Sequence, residues 1–396
     1  MKVALVIERI ETWRGGAETS TVQFARHLAD LGCEVTVLTA TNVPSTPAMT
    51  IVPIRAGAGW RSGRTWMFAR GVARHLRLQG FDIIHAITPC SAADVYQPRG
   101  GTVPEMLARN LAMRQSSVKR GLKWVGQRLD LKYRVLAGLE KRLMTRRPAP
   151  WVIAISQYVA DQLERHYRFD PSRIRLIFNG VDPDETSAAE RQRHRIEIRR
   201  QFGLADDDLV LLAVAHNFKL KGVDRMIQAM AHPLVRAIGQ VYAIVVGRDN
   251  PAHLAQLLAE LGLADRVFFA GPSQRVAAFF HAADILAHPT HYDPCSRVVL
   301  EAMAAGLPVI TTRYNGASEC VTDGREGYVI SSPVDIEALA DRIVRLAEPD
   351  HRHQCARSAL AAVGQFTTAR HAAEVVRLYE DILRSGETRR VGGGAV

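Results

Sequence analysis

Two carboxylate side chains, Asp293 and Glu301, stand eight positions apart around a predicted helix start. The residues at 294–297 read Pro-Cys-Ser-Arg, and the helix that follows leads to Gly-Leu-Pro at 306–308 and then to a strand. Carboxylates accept hydrogen bonds from ligand hydroxyls, and the N-terminus of a helix attracts anions. One acid in such a loop could be chance, but this arrangement indicates a ligand site.

Glycines next to helix starts mark other loops that could hold a phosphate. Gly15 and Gly16 precede a predicted helix, where backbone N–H groups and the helix dipole favour an anion, although paired glycines are more often only a turn. Lys219 and Lys221 precede Gly222 at the start of another predicted helix. Such lysines either bind a pyrophosphate or are simply solvated.

Short apolar runs alternate with helical stretches, which is the pattern of parallel sheets covered by helices. The runs occupy 3–7, 34–39, 82–87, 151–156, 173–178, 209–215, 241–247, 266–271, 284–289 and 307–312. The alternation pauses near 180–200, so we predict an α/β protein with two doubly wound Rossmann-like domains. The predicted segments are a first domain 1–190, a second domain 191–365, a helix at 366–385 that could pack back on the first domain, and a flexible tail at 386–396.

Ligands of open parallel sheets bind in a crevice at the carboxyl ends of the strands. The glycine loops described above follow predicted strands, and so do two more. One spans 245–251, where Arg248 follows a glycine, and the other spans 271–274. Four loops of this kind favour a common phosphate-binding rim over chance.

Composition excludes several other classes of protein. With 396 residues, of which 47% are hydrophobic and 23% charged, the chain is expected to be globular. Its five cysteines are odd in number and far apart, which argues against a disulfide scaffold and a zinc site. Only five consecutive apolar residues precede Glu8, too few for a signal peptide, and no run approaches the ~18 apolar residues of a membrane span. We therefore expect a cytoplasmic protein.

Positive charge is concentrated between residues 106 and 147. This window holds twelve Lys or Arg and two acidic residues, while the net charge of the whole chain is +11. Apolar residues recur every three or four positions from Leu122 to Leu143, which predicts one or two amphipathic helices with a basic outer face. That face is either solvated or binds an anionic membrane, a phosphorylated acceptor or nucleic acid.

Four stretches together resemble the retaining nucleotide-sugar glycosyltransferases of family 4. They are Gly-Gly-Ala-Glu at 15–18, Phe-Asn-Gly-Val-Asp at 178–182, the segment 221–229, and the acid pair with the Gly-Leu-Pro after its helix. Within that family, 209–312 in particular resembles the lipopolysaccharide core glucosyltransferases of Gram-negative bacteria. The resemblance covers most of the chain. It implies the GT-B fold, in which two Rossmann-like domains face a central cleft, with 1–190 binding the acceptor and 191–365 the nucleotide sugar. It also implies UDP-glucose as donor and a heptose of the lipopolysaccharide inner core as acceptor.

The same resemblance implies roles for individual residues. Asp293 is expected to contact hydroxyls of the transferred sugar, and Glu301 to hold the nucleotide ribose. Lys221 matches the family's phosphate lysine and Gly16 its N-terminal glycine. The first acid would lie in the loop and the second one or two turns into the helix, so that the helix N-terminus points between them. The expected donor-binding residues are Gly15, Gly16, Lys219, Lys221, Arg248, Asp293, Cys295, Ser296, Arg297, Val298 and Glu301.

The chain also departs from the family pattern. The first acid is normally Glu, so Asp293 is about one methylene shorter and its sugar contact could be re-aimed. The basic residue that usually accompanies the lysine is Leu220 or Lys219 here, depending on the alignment. Many relatives have a histidine at a strand end beside the reacting sugar. In this chain Gln97 and Arg99 occupy that strand, and a histidine lies one strand earlier.

We take Asp293, Lys221 and His85 as the catalytic candidates, with a buried structural role as the alternative for His85. A front-face retaining mechanism needs no protein base, because the departing phosphate accepts the proton of the acceptor hydroxyl. Lys221 and the helix dipole would then stabilise the leaving group. We expect no metal, since GT-B enzymes generally work without one and the acidic run at 206–208 precedes a strand, at the end opposite the crevice.

The sequence thus predicts a retaining hexosyltransferase that uses a UDP-sugar and a glycolipid or saccharide acceptor such as the lipopolysaccharide inner core. Its predicted partners also include an anionic membrane surface, bound through 106–147 at the inner face of the inner membrane. Nucleic acid would explain the basic window but not the acid pair. A transferase that uses GDP-mannose or UDP-N-acetylglucosamine is the alternative, followed by a UDP-sugar epimerase or a sugar phosphorylase.

Overall fold

The computed structural model describes residues 1–11, 16–55, 61–114 and 116–386. The chain forms two compact units. The first consists of Met1–Gly180 and the chain from Thr368 onward, and the second of Val181–Thr367. The boundary follows Gly180 and not residue 190, because the helix after this point packs on the second unit. The C-terminal helix, predicted as a segment that could pack back on the first domain, is part of the first unit.

A seven-stranded parallel sheet forms the centre of the first unit. Its strands are β1 Lys2–Val6, β2 Glu34–Thr39, β3 Thr50–Pro53, β4 Ile83–Ala86, β5 Val95–Tyr96, β6 Trp151–Ala154 and β7 Ile174–Leu176. They lie in the order β3-β2-β1-β4-β5-β6-β7, so the strand order reverses between β1 and β4. Four of the five residues of β1 are buried. A strand of a parallel sheet that helices cover on both faces has a continuous run of apolar residues, and β1 shows this pattern.

In the described part of the chain, six helices come before the second unit. They are α1 Gly16–Asp30, α2 Arg61–Leu78, α3 Val103–Ala112, α4 Ser117–Leu129, α5 Leu131–Thr145 and α6 Gln157–Tyr167. Helix α2 packs on α5, and α3, α4 and α5 contact one another. The basic window therefore forms a small helical layer on the first unit.

The second unit has a six-stranded parallel sheet. Its strands are β8 Leu209–Val214, β9 Val241–Val246, β10 Val267–Gly271, β11 Ile285–His288, β12 Val309–Thr312 and β13 Gly327–Ile330. They lie in the order β10-β9-β8-β11-β12-β13, so the switch point falls between β8 and β11. The prediction of two doubly wound sheets is confirmed. Ligands of such sheets bind where the strand order reverses, which directs attention to the loops after β8 and β11.

Eight helices surround this second sheet. They are α7 Ala188–Gln201, α8 Val223–Met230, α9 Pro233–Arg236, α10 Ala255–Leu261, α11 Val276–Ala282, α12 Arg297–Ala304, α13 Ile336–Ala347 and α14 Pro349–Val363. Helices α8 and α13 pack on each other, and their apolar faces join the strands in one buried core. Helix α12 begins four residues after Asp293, contains Glu301, and connects β11 to β12.

The last helix, α15 Thr368–Ser385, returns to the first unit and packs against α1. Val375, Leu378 and Ile382 from α15 share a buried core with Phe24 and Leu28 from α1. The C-terminal helix is therefore a structural part of the first unit's core.

Helix α4 turns its apolar side away from the unit. Its outward residues at helical spacing are Val118 (70% exposed), Leu122 (70%), Val125 (46%) and Leu129 (70%). Gln127, on the opposite side, is buried, and its Nε2 donates to the carbonyl oxygen of Leu107 at 3.5 Å. The prediction of a basic outer face is therefore wrong for α4, because the apolar stripe itself faces outward and basic residues flank it. Within the described ranges, no helix has the length and apolar character needed to cross a membrane.

Candidate functional site

The loops after β8 and β11 lie in direct contact at the switch point of the second sheet. Gly222 has a φ of +74°, and a Cβ at this position would lie 2.1 Å from the carbonyl oxygen of Pro289. The carbonyl oxygen of Leu220 accepts hydrogen bonds from the backbone N–H of His291 at 2.9 Å and from the hydroxyl of Thr290 at 3.1 Å. Glycine permits this close approach, which brings the predicted lysine to the predicted acid.

The side chains of Lys221 and Asp293 form an ion pair in this contact. Lys221 Nζ lies 2.5 Å from Asp293 Oδ2, and the other oxygen, Oδ1, accepts from the backbone N–H of Cys295 at 3.3 Å. The two side chains are 20% and 15% exposed. Burial alone would raise the pKa of Asp293, but the charge of Lys221, together with the neighbouring His288 ring, holds it well below its usual range.

His288, the last residue of β11, lies next to this ion pair. It was not among the predicted site residues. Its side chain is 1% exposed, and Nε2 lies 3.9 Å from Asp293 Oδ2 and 3.5 Å from Ser296 Oγ. Burial lowers its pKa, so the ring is neutral at pH 7 and lies beside the acid as a polar, uncharged neighbour. The available signal was a histidine at the end of the predicted strand 284–289.

Asn315 fixes the loop that carries the acid and is a second residue that sequence reasoning missed. Its side-chain oxygen accepts from the backbone N–H groups of Ser296 and Ala317, each at 3.0 Å, and its amide donates to Thr311 Oγ1 at 2.9 Å. The backbone of Asp293 pairs with that of Asn315. This fully buried amide thereby joins the loop before α12 to the loop after β12.

Helix α12 starts directly after this loop. Cys295 is buried, Val298 in the first turn is half-buried, and the side chain of Ser296 makes no capping hydrogen bond. The positive end of the helix dipole is therefore directed toward the loop, where it favours an anion. Arg297 is the first residue of α12, and Glu301 lies one turn further along the helix. Nε and Nη2 of Arg297 both donate to Oε1 of Glu301, at 3.2 and 3.1 Å.

The loop after β9 adds a further basic residue. Gly247 has a φ of +156°, and a Cβ there would lie 1.7 Å from the carbonyl oxygen of Ala215. This contact holds the loop that carries Arg248 against the loop after β8. Desolvation and the positive charges of Arg248 and Lys221 lower the pKa of His216. Arg248, which is exposed, thus contributes to the same positive region as Lys221.

Lys219 is half-buried in the loop after β8. Burial and the charges of Arg225 and Lys219 lower the pKa of His291 to about 4. The same lysine charge opposes the effect of burial on Asp224. Lys219 therefore lies on the α8 side of this loop, toward Asp224 and His291.

The structure contradicts a catalytic role for His85. The side chain is fully buried beneath α15, where Nδ1 lies 2.5 Å from the hydroxyl oxygen of Tyr379 and the ring stands edge-on to Phe24. Burial and then the charge of Arg99 lower its pKa well below the usual value. A group that must touch a sugar cannot act from this position, so His85 is corrected to a residue of the first unit's core.

Gln97 and Arg99, which replace the expected histidine, belong to a neighbouring polar network. Gln97 Nε2 lies 3.0 Å from His371 Nε2, and Arg99 Nε donates to Gln97 Oε1 at 3.1 Å. Arg99 Nη1 also donates to Ser20 Oγ on α1 at 2.6 Å. Gln97 and His371 are buried, whereas Arg99 is half-buried. This network connects the end of β5 to α1 and α15.

The second unit brings most of the predicted donor-binding residues to one edge of its sheet. They are Lys219, Lys221, Arg248, Asp293, Cys295, Ser296, Arg297, Val298 and Glu301. In the first unit, Gly16 is the first residue of α1, and Gly15 lies outside the described residues. The described residues contain no group of three or more His, Cys, Asp or Glu that could hold a metal ion. The acidic run 206–208 forms part of a turn before β8, where Asp208 accepts from the backbone N–H of Ala205 at 2.7 Å.

Two known families match successive parts of the chain. The family described as Glycosyltransferase Family 4 matches residues 14–185, and the one described as Glycosyl transferases group 1 matches residues 194–361. Together these matches span both units.

Individual relatives are similar over most of their length. The chain is 26% identical to the lipopolysaccharide glucosyltransferase WaaG of Escherichia coli K12, over 82% of this chain and 84% of the relative. It is 28% identical to a D-inositol 3-phosphate glycosyltransferase of Stackebrandtia nassauensis, over 93% of this chain and 87% of the relative.

Solved structures share the fold over nearly the whole chain. The crystal structure of WaaG, a glycosyltransferase involved in lipopolysaccharide biosynthesis, is 24% identical and gives a TM-score of 0.74 over 99% of this chain and all of that one. Anabaena HepE in complex with UDP-glucose is 22% identical and gives a TM-score of 0.72 over 96% of this chain and all of that one.

Proposed function

Because this chain belongs to the family 4 glycosyltransferases and has their GT-B fold, we propose that it is a retaining hexosyltransferase that moves glucose from UDP-glucose to a glycolipid or saccharide acceptor. The observation that carries this proposal is the ion pair of Lys221 and Asp293 at the switch point of the second sheet, next to the start of α12. This edge offers a carboxylate for sugar hydroxyls and positive charge for a diphosphate.

The second unit provides a candidate partner for each part of the donor. Lys221 and the N-terminus of α12 would bind the diphosphate, with Arg248 adding positive charge. Asp293 would orient the transferred sugar, and Glu301 would accept hydrogen bonds from the ribose. UDP-glucose is favoured as donor because the structurally similar Anabaena HepE is known in complex with it.

In the proposed reaction, an acceptor hydroxyl attacks the anomeric carbon on the face from which UDP departs. The bond between that carbon and the β-phosphate oxygen breaks, a new glycosidic bond forms with retained configuration, and the hydroxyl proton passes to the departing phosphate. Lys221 stabilises the charge that develops on this phosphate, as preorganised electrostatic groups generally do. No metal is required in this scheme, because Lys221 and the helix dipole provide the positive charge.

The lipopolysaccharide inner core is the first acceptor candidate, since the relative from Escherichia coli is a lipopolysaccharide glucosyltransferase. A phosphorylated cyclitol is the second candidate. The similarity to a D-inositol 3-phosphate glycosyltransferase, over 93% of the chain, favours it. The two acceptors differ in size and charge, so an acceptor panel separates them.

A donor and acceptor panel tests the proposal. UDP-glucose, UDP-N-acetylglucosamine and GDP-mannose would each be incubated with lipopolysaccharide inner-core fragments, with D-inositol 3-phosphate, or without acceptor. We expect glucose transfer from UDP-glucose to an acceptor and an α-anomeric product by NMR. Transfer only from GDP-mannose would overturn the donor assignment, and conversion of the donor without acceptor would indicate an epimerase.

We also propose that residues 106–147 attach the protein to the inner face of the inner membrane. The outward apolar stripe of α4 has Lys123 and Arg128 on its two sides, and the Arg128 guanidinium lies 4.2 Å from the ring centre of Trp124. An amphipathic helix with this composition lies in the interface of an anionic bilayer, with its apolar face among the acyl chains. Basic residues near such a surface contribute roughly 1 kcal/mol each.

A further inference from the structure

Arg297 holds only one oxygen of the Glu301 carboxylate. Both Nε and Nη2 of the guanidinium donate to Oε1, at 3.2 and 3.1 Å. Among the hydrogen bonds between described residues, none reaches Oε2. The Arg297 side chain is 10% exposed and that of Glu301 is 31% exposed, so the second oxygen remains accessible to a ligand.

Helix stability does not account for this pair. In helices, an acid four residues before a base is the favourable order, because it agrees with the helix dipole, and here the base comes first. Arg297 is also the first residue of α12, where the positive end of the dipole disfavours a cation. The observation that bears on the carboxylate is that this nearly buried arginine directs two N–H groups at Oε1.

We propose that Arg297 is a positioning residue that fixes the Glu301 carboxylate so that Oε2 accepts the ribose hydroxyls of the donor nucleotide. This inference rests on the proposed function, in which Glu301 is the ribose ligand. A planar guanidinium with two N–H groups on one oxygen restricts rotation of the carboxylate. Glu301 is then preorganised for the vicinal diol of the ribose, and less side-chain entropy is lost on binding.

The two acids of the site differ in this respect. Both oxygens of Asp293 are engaged within the protein, one by Lys221 and the other by the backbone N–H of Cys295. Glu301 keeps one oxygen open. Its partner Arg297 also neutralises its charge, so that the carboxylate does not repel the diphosphate that must bind near the start of the same helix.

Calorimetry with UDP and 2′,3′-dideoxy-UDP tests this role on the full chain. The wild type is expected to prefer UDP by at least tenfold, since only UDP offers the hydroxyls. Glu301→Gln and Arg297→Gln should each lower that preference to about threefold or less, and the double variant should be no worse than either single one. Arg297→Lys should restore part of the preference. Arg345→Gln is the matched control, because Arg345 forms an exposed pair with Asp341 at the same i, i+4 spacing.

Each outcome separates the two levels of the proposal. If UDP does not bind the wild type, the proposed function fails. If the wild type discriminates but Arg297→Gln keeps the full preference, Arg297 does not position Glu301. Equal weakening of both nucleotides by Arg297→Gln would assign the arginine to the diphosphate and overturn the positioning role. A lower melting temperature with an unchanged nucleotide preference would make the pair merely structural.

Discussion

Lys221 Nζ lies 2.5 Å from Asp293 Oδ2, so the cation proposed to bind the donor's diphosphate already has an anionic partner within the protein. The pair joins two loops, one after β8 and one after β11. Binding of a diphosphate would give Lys221 a second anionic partner. The ion pair therefore couples the stability of the switch point to the occupancy of the site.

Asp293→Asn should remove this partner and leave the lysine charge in a largely buried position. We expect the unliganded variant to lose roughly 1 to 3 kcal/mol of unfolding free energy, because breaking a buried pair is costly. UDP affinity should not fall, since the diphosphate then neutralises Lys221, whereas sugar transfer should fall at least about tenfold. Thermal unfolding with and without UDP, calorimetry and a transfer assay measure these effects.

The exposed pair of Asp341 and Arg345 provides the control for this variant, and Asp341→Asn should change none of these quantities measurably. A loss of UDP affinity in Asp293→Asn as large as that in Glu301→Gln would contradict the assignment of Asp293 to the sugar.

Gly222→Ala should displace the loop that carries Lys221. The new Cβ would lie 2.1 Å from the carbonyl oxygen of Pro289, in addition to the strain of a φ of +74°. Gly203→Ala is a matched control, because Gly203 has a φ of +66° and no heavy atom within 4 Å of an added Cβ. The control should lose about 1 kcal/mol of unfolding free energy from backbone strain alone. A larger loss, together with weaker UDP binding, is expected for Gly222→Ala, and equal losses with unchanged UDP binding would exclude the steric explanation.

Glu105 on α3 should make the stability of the protein sensitive to acid. Burial opposes its ionisation, but hydrogen bonds from His166, Arg109 and Tyr158 lower its pKa from 4.5 to about 2. Because the folded state has the lower pKa, ionised Glu105 contributes stability above pH 4.5, and this contribution is lost as the pH falls toward 2. Glu105→Gln should therefore lose roughly 2 to 3 kcal/mol at pH 7, with the difference from wild type shrinking below pH 4.5.

Urea unfolding of both proteins at several pH values measures this effect. Glu34→Gln removes an exposed carboxylate that lies 3.9 Å from Lys2 and should have almost no effect. A difference between Glu105→Gln and wild type that stays constant down to pH 3 would show that the charge of Glu105 is not the cause.

Leu122→Glu should weaken binding to anionic vesicles without changing the melting temperature, because this side chain is 70% exposed on α4. A negative charge there opposes both the apolar contact and the attraction to anionic lipid. Leu360→Glu, at a 46% exposed position on α14, is the control and should bind vesicles like wild type. Sedimentation with anionic and neutral vesicles at two salt concentrations measures binding. Equal binding to both lipids, or no effect of reversing Lys119, Arg120 and Lys123, would exclude the proposal.

Strands with long apolar runs could be predicted closely from the sequence. The run 34–39 coincides with β2, Glu34–Thr39, whereas β3, β5 and β13 were missed. Strand β5 has only two residues, Val95–Tyr96, which is too short for a periodic signal, and β13 begins with a glycine. The parallel alternation was sufficient to predict both sheets, because it depends on many runs and not on any single one.

The site was predictable where residue type and position in a motif carry the information, as for Lys221 and Asp293. His288 and Asn315 were missed because their contacts depend on packing between β11, α12 and the loop after β12. The helical spacing on α4 likewise indicated which residues share a face. It could not indicate whether that face meets protein or solvent, and the apolar stripe turned out to point outward.

The return of α15 to the first unit has a consequence for synthesis on the ribosome. All residues of the second unit are translated before α15, so the second unit can complete its core first, although the first unit begins earlier. Until Thr368–Ser385 emerges, the faces of Phe24 and Leu28 that α15 covers remain without their partners. A nascent chain paused within α14 would thus expose an apolar surface on its N-terminal half, where a chaperone could bind.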